Sequence, residues 1–213
     1  APAEQPALML RVEAAWLRIG RTDPLLIEIP SLVLAPGDRC AIVARSGTGK
    51  TACLEALALM RGLDAVARFE LAGRDCRIPA LEGGIDSRAA LRRRAISMVS
   101  QSGGFIPFLS ARENALAELR AASVAIDTGI ETALHRHAER LGLDGTLGKD
   151  RSQLSGGERR RIGLLRALVA GKPLVLVDEP SAFLDGESAR CAFEALALRA
   201  EDGSAAVLIV THD

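Results

Sequence analysis

Leu154-Ser155-Gly156-Gly157-Glu158 is the stretch on which the reading of this chain turns. Ser155 reads as the N-cap of a helix, and Gly156 and Gly157 leave the first backbone N–H groups open, which makes an anion site. Outward from it stand five further stretches. Upstream is the glycine-rich Ala44-Arg-Ser-Gly-Thr-Gly-Lys-Thr51, then Gln101 at the end of an apolar run. Downstream are Leu174-Val-Leu-Val-Asp-Glu-Pro180, Leu184-Asp185 and Thr211-His212-Asp213.

The glycine-rich stretch has the context of a phosphate loop. A short strand, Arg39 to Val43, is expected to be buried before it, and Lys50 to Met60 has helical periodicity after it. Backbone N–H groups of Ala44, Arg45, Ser46, Gly47, Thr48 and Gly49 can wrap phosphates, and the helix start adds a favourable dipole. Lys50 is placed for the β- and γ-phosphates and Thr51 for Mg²⁺. Ala44 departs from the pattern G-x-x-x-x-G-K-[ST]. If that position needs φ > 0, alanine costs about 1 kcal/mol there. The carboxylates Asp178 and Glu179 fall at the carboxyl end of an apolar strand, where ligands bind in open α/β sheets.

Six motifs in this order resemble the ATP-binding cassette (ABC) ATPases over essentially the whole chain. The resemblance implies an α/β fold: a P-loop NTPase core with a mainly parallel sheet, helices on both faces and an N-terminal antiparallel portion. It implies one domain, 1–213, with core 1–102 and 153–213 and an inserted helical subdomain at about 103–152. It assigns Asp178 to Mg²⁺, Gln101 to Mg²⁺ or the attacking water, Glu179 to orienting and deprotonating that water, and His212 to the γ-phosphate. It gives Ser155, Gly156, Gly157 and Asp185 to a composite site, in which one protomer's signature covers the nucleotide of a second, head-to-tail protomer. ATP and Mg²⁺ are the implied ligands. A second cassette and a separate transmembrane permease are the implied partners, with the chain on the inner face of the membrane. Ala182-Phe183-Leu184-Asp185 replaces the family's commoner Ser-Ala-Leu-Asp, which weakens the expected cross-talk between sites.

Bulk properties fit this picture. At 213 residues a single domain is the default, and 48% apolar content supports a sizeable core. The 27 basic and 27 acidic residues cancel, which disfavours nucleic acid as the main partner. Cys40, Cys53, Cys76 and Cys191 are scattered and read as small core residues. No apolar run reaches the roughly 20 residues that span a bilayer. Strands are expected at Leu8 to Leu17, Leu25 to Leu34, Ala95 to Val99, Pro173 to Val177 and Ala205 to Val210. A short basic helix is expected at Ser87 to Arg94. Two helical stretches between Ser110 and Leu141 break near Asp127, a long helix starts at Ser155, and another runs from Gly186 to Ala200. Ala1 to Ala7 reads as a loose leader. Arg92 to Arg94 read as a solvated helix end, and His135 and His137 as surface residues. Most of Arg159, Arg160, Arg161 and Arg166 read as a solvated face or intradomain ion pairs.

Adenine recognition has two readings. The family's usual stacking position falls on Ile19, while Trp16 is either displaced into that role or part of the core. Ile19 in place of an aromatic predicts relaxed base selectivity. Phe105, Ile106 and Phe108 are read either as docking a membrane partner or as packing within the helical subdomain. Arg92 to Gln101 and the extension Phe105 to Asn114 look most like the group that handles lipoprotein release, macrolide export and cell-division mechanotransmission. Two other function classes stand beside a transporter ATPase. One is a nucleotide sensor with weak turnover, motivated by Ala44, Ile19 and Ala182; the other is a soluble cassette acting on nucleic acid or ribosomes.

Overall fold

The computed structural model describes residues 8–20, 24–181, 186–201 and 203–212. Two four-stranded sheets organise the chain. The first is antiparallel, in the order β2-β1-β4-β5, from β1 (Leu10–Ile19), β2 (Leu25–Leu34), β4 (Arg68–Leu71) and β5 (Arg74–Asp75). The second is parallel, in the order β3-β8-β7-β6, from β3 (Arg39–Val43), β6 (Ile96–Val99), β7 (Leu174–Asp178) and β8 (Ala206–Thr211). Helices α1 (Lys50–Leu57), α2 (Arg77–Leu81) and α3 (Ile85–Ala95) precede β6. Helices α4 (Ala111–Ala115), α5 (Ala117–Ala121) and α6 (Thr128–Arg140) fill the stretch between β6 and α7 (Gly156–Ala170). Helix α8 (Gly186–Glu201) then leads into β8.

Alternation along the parallel strands divides the core in two. Leu174 and Leu176 point into one cluster with α1 and the antiparallel sheet, while Val175 and Val177 point into another with α4 to α8. All five residues of β7 are buried, as expected for a strand covered on both faces. Truncating Leu176 to Ala should therefore cost about 2–5 kcal/mol.

The expected burial of β3 is corrected. Arg39, Ala41 and Val43 are exposed, because β3 is the edge strand of its sheet and only Cys40 and Ile42 turn inward. The helix expected to reach Met60 ends at Leu57, and Leu59 takes a left-handed φ of 55°. The two helical stretches between Ser110 and Leu141 are three segments, with α4 and α5 meeting at Leu116. The elements β4, β5 and α2 have no counterpart in the sequence reading.

Register is what positions the site. Val43 pairs with Thr211, Asp178 with Val210, and Val99 with Val177. The carboxyl ends of all four parallel strands thus lie on one edge. The phosphate loop, Glu179, His212 and Gln101 all begin there.

Candidate nucleotide site

The loop after β3 is built by backbone constraint. Gly47 and Gly49 take φ of 79° and 86°, which side chains rarely tolerate. A Cβ on Gly49 would also collide with Ile27 and come within 3.0 Å of Ile19 and 3.1 Å of Leu25. Ala44 is not among the left-handed residues, so the cost expected for it does not arise. Its N–H donates to the Thr211 carbonyl at 3.1 Å, tying the loop to β8. The Thr48 hydroxyl donates to the Arg45 carbonyl at 2.8 Å. Ser46, Gly47 and Thr48 are solvent-facing at the loop's crest.

Lys50 opens α1 and is buried. Its Nζ donates to the carbonyls of Ala44 at 2.5 Å and Arg45 at 2.9 Å, and lies 3.7 Å from Glu179 Oε1. Glu179 Oε2 is 2.6 Å from His212 Nδ1. Lys50, Glu179 and His212 therefore form one continuous polar chain. Glu179 holds a left-handed φ of 50°, a conformation that costs about 1–3 kcal/mol for a non-glycine residue and gathers at functional sites. Its N–H is anchored on the Val210 carbonyl at 2.9 Å.

The neighbouring acid fits a divalent cation. Asp178 is 3% exposed. Its Oδ2 accepts from the Thr51 hydroxyl at 2.8 Å, while its buried Oδ1 has no hydrogen-bond partner among the described residues. An orphaned carboxylate oxygen beside a hydroxyl is an oxygen donor set suited to Mg²⁺, which takes one or two protein groups plus phosphate and water. Burial pushes the Asp178 carboxyl above its ordinary range, against the hydrogen bond from Thr51.

Gln101 stands at the same sheet edge, after β6. It is exposed, and its carbonyl accepts from Arg160 Nε at 3.1 Å. Ser155 caps α7 as expected: its Oγ accepts from the Glu158 N–H at 3.1 Å, and Glu158 Oε2 accepts from the Ser155 N–H at 2.7 Å. Lys149 Nζ also reaches Glu158, at 2.9 Å. The Ser155 backbone hydrogen bond, with Lys149, holds the Glu158 carboxyl down at about 2. Ser155 and Gly156 are exposed. Among the described residues no hydrogen bond or ion pair joins them to the phosphate loop. Asp185, with Ala182 to Leu184, lies outside the described residues.

Trp16 is corrected. Ala14 takes a left-handed φ of 48° and is skipped in the pairing between Glu13–Ser31 and Ala15–Ile29. The kink inverts the alternation, so Leu10 and Val12 are buried before it, and Ala15 and Leu17 after it. Trp16 is thereby turned to the opposite face, half-buried in a groove with Arg18, Pro24, Leu26 and Asp64. It is not among the buried core residues and does not line the cavity at Gly49 and Lys50. Ile19 is the hairpin residue that overhangs Gly49. Leu25 and Ile27, which share that contact, are site residues the sequence reading missed. Their pairing across the hairpin with Ile19 and Leu17 is the signal that reveals them.

Two further expectations change, and a third, which left two readings open, divides between them. His137 is 9% exposed, not a surface residue; burial first, then Arg136, Arg140 and Arg199, lowers its imidazole to about 4. Arg92 is half-buried and donates to the Leu59 carbonyl, whereas Arg93 and Arg94 are solvated. Phe108 is 85% exposed, while Phe105 is partly buried against the core beneath α4 to α8. A groove of about 600 Å³ beside His137 is larger than the cavity of about 330 Å³ at Gly49 and Lys50. The smaller one is lined by Ala44, Thr48, Gly49 and Lys50 of the glycine-rich loop and is the candidate site.

A glycine loop on a strand, a helix-opening lysine with its threonine and a strand-terminal acid pair define a P-loop nucleotide hydrolase fold. The particular family follows from comparison with known proteins. The ABC transporter family model matches residues 27–182, and the chain belongs to that family. It is 38% identical over 184 residues to the lipoprotein-releasing system ATP-binding protein LolD of Pseudomonas syringae pv. tomato, covering 85% of this chain and 78% of that protein. It is 34% identical over 215 residues to the macrolide export ATP-binding/permease protein MacB of Chromobacterium violaceum. That match covers 96% of this chain but only 31% of MacB. The fold superposes on the dimeric post-hydrolysis state of the ATP-binding cassette MJ0796 bound to ADP and Pi. There the TM-score is 0.83 at 24% identity, over 96% of this chain and 88% of the other.

Proposed function

We propose that this chain is the Mg-ATP-hydrolysing subunit of an ABC transporter-like membrane complex. The observation that carries the reading is the Lys50–Glu179–His212 chain beside the Asp178–Thr51 pair. Backbone N–H groups of residues 44–49 and the Lys50 ammonium bind the phosphates. Thr51 and Asp178 would hold Mg²⁺ with help from Gln101, and the ion, when bound, offsets charge on the phosphate oxygens. Water attacks the γ-phosphorus and passes its proton to Glu179, and the bond to the bridging oxygen breaks to release ADP. His212 orients the Glu179 carboxylate and sits beside the developing charge. Ile19, Leu25 and Ile27 cover the base side by apolar contact.

In this reading two cassettes pair head to tail, each signature at Ser155–Gly157 and each Asp185 completing the partner's site. The 103–152 segment is the helical subdomain that moves with it. Among the described residues no helix is long and apolar enough to cross a membrane; a transmembrane permease, as a separate chain or as a further part of a longer one, receives the work. Phe108 is the exposed apolar residue suited to that contact. The chain would act at the inner face of the membrane. The LolD and MacB relatives support a role in release or export of hydrophobic cargo. Ala44, which carries no backbone strain, no longer favours a weak-turnover sensor. Steady-state phosphate release tests the proposal: a sensor gives none, and a hydrolase gives turnover that Lys50→Ala abolishes.

A further inference from the structure

Gln101 is followed by Gly103 and Gly104, which take left-handed φ of 76° and 59°. Two such residues in succession throw the chain across α7. The approach is backbone on backbone. A Cβ on Gly103 would lie 2.7 Å from Arg160 Cα, and a Cβ on Gly163 would strike the Gly103 carbonyl and lie 2.8 Å from Gly103 Cα. No side chain lies between to absorb a shift. Arg166, 8% exposed, then closes the contact from the same helix. Its two terminal nitrogens donate to the carbonyls of Gly103 at 2.8 Å and Gly104 at 2.9 Å. Arg160 holds the Gln101 carbonyl from the preceding turns of α7. Behind Arg166, Glu118 of α5 lies 3.9 Å from its Nε and pairs with Lys172 at 2.6 Å.

We propose that Arg166 is a positioning residue for Gln101, clamping the Gly103–Gly104 turn onto Gly163 so that Gln101 moves with the signature helix rather than with β6. The inference rests on the role proposed for Gln101. One rigid helix then carries the signature at its first residues and the reach of Gln101 into the metal and water site along its length. A guanidinium fork is required because two adjacent carbonyls must be met at once, and an ammonium meets them only as a point charge.

The test is a double-mutant cycle on ATP turnover of the whole chain, with Gln101→Ala, Arg166→Lys and the pair. Arg166→Lys should lower kcat about ten- to a hundredfold, the scale of a misplaced reacting group, and leave KM for ATP within about twofold. In the Gln101→Ala background the same change should cost nothing further. An equal loss in both backgrounds shows that Arg166 acts on the fold alone and overturns the positioning role. A Gln101→Ala protein with full kcat overturns the reading of Gln101 itself. If Arg166→Lys fails to fold, Gly163→Ala serves in the same cycle. Alanine ordinarily favours a helix interior over glycine, so its effect is read through the displaced Gly103 carbonyl.

Discussion

The edge of the parallel sheet and the start of α7, the two proposed anion sites, are built in opposite ways. At the sheet edge, Lys50 donates to the loop carbonyls, Thr51 donates to Asp178, His212 is hydrogen-bonded to Glu179, and Lys50 forms an ion pair with Glu179, all within one chain. At α7, Ser155 and Glu158 satisfy each other in a capping box, and the exposed Ser155–Gly156 turn faces solvent. In the proposed function the first region does chemistry on a phosphate. The second, in the same reading, only recognises one. A recognition end rigidified by its own cap and set apart from the chemistry has its natural use on another molecule's nucleotide.

The sharpest way to break this contrast is at the sheet edge. Glu179→Gln should cut turnover about 10²–10⁴-fold, the usual share of a general base, while ATP binding in a filter or fluorescence assay persists. A variant that keeps its turnover removes Glu179 from the chemistry. At the other end, Ser155→Ala should lose about 1 kcal/mol with the cap, seen as a lowered melting temperature, and should leave ATP binding by the monomer unchanged. Loss of monomer binding would mean that the two regions are not separate.

How much of this was legible follows from periodicity. The strand ends that lead to the phosphate loop, Asp178, Glu179 and His212 could be read because each apolar run stops at a polar motif. The N-cap of α7 could be read from Ser155 alone. His137 was legible and was missed: Leu134, His137, Ala138 and Leu141 fall at helical spacing and form the buried stripe of α6. Trp16 was not legible, because the phase of β1 inverts at Ala14 and alanine gives no hint of a left-handed turn. The two-residue β5 and the five-residue α2 are too short to leave a period. The contact of Gly103 with Gly163 joins positions sixty residues apart and has no local signature.

Two smaller effects sharpen the contrast further. Ile19→Tyr should tighten ATP by about 1 kcal/mol, roughly fivefold, if the hairpin covers the base. The unmodified chain should bind ATP and GTP with similar affinity, and Trp16→Ala should change neither. A strong ATP preference in the unmodified chain would place base recognition elsewhere. Last is pH. The Glu158 carboxyl is held at about 2 against an ordinary 4.5, so its contribution to stability is full above the ordinary value and is lost as pH falls towards 2. The stability difference between the natural chain and Glu158→Gln, followed by denaturant melts, should therefore shrink over that range. A difference independent of pH would assign the cap's value to geometry rather than charge.

The most direct test of two separated half-sites is light scattering of the Glu179→Gln protein with and without Mg-ATP. The account predicts a monomer without nucleotide and a dimer with it, because only a second copy brings a signature to the phosphates. A protein that binds ATP and stays monomeric would contradict the composite site.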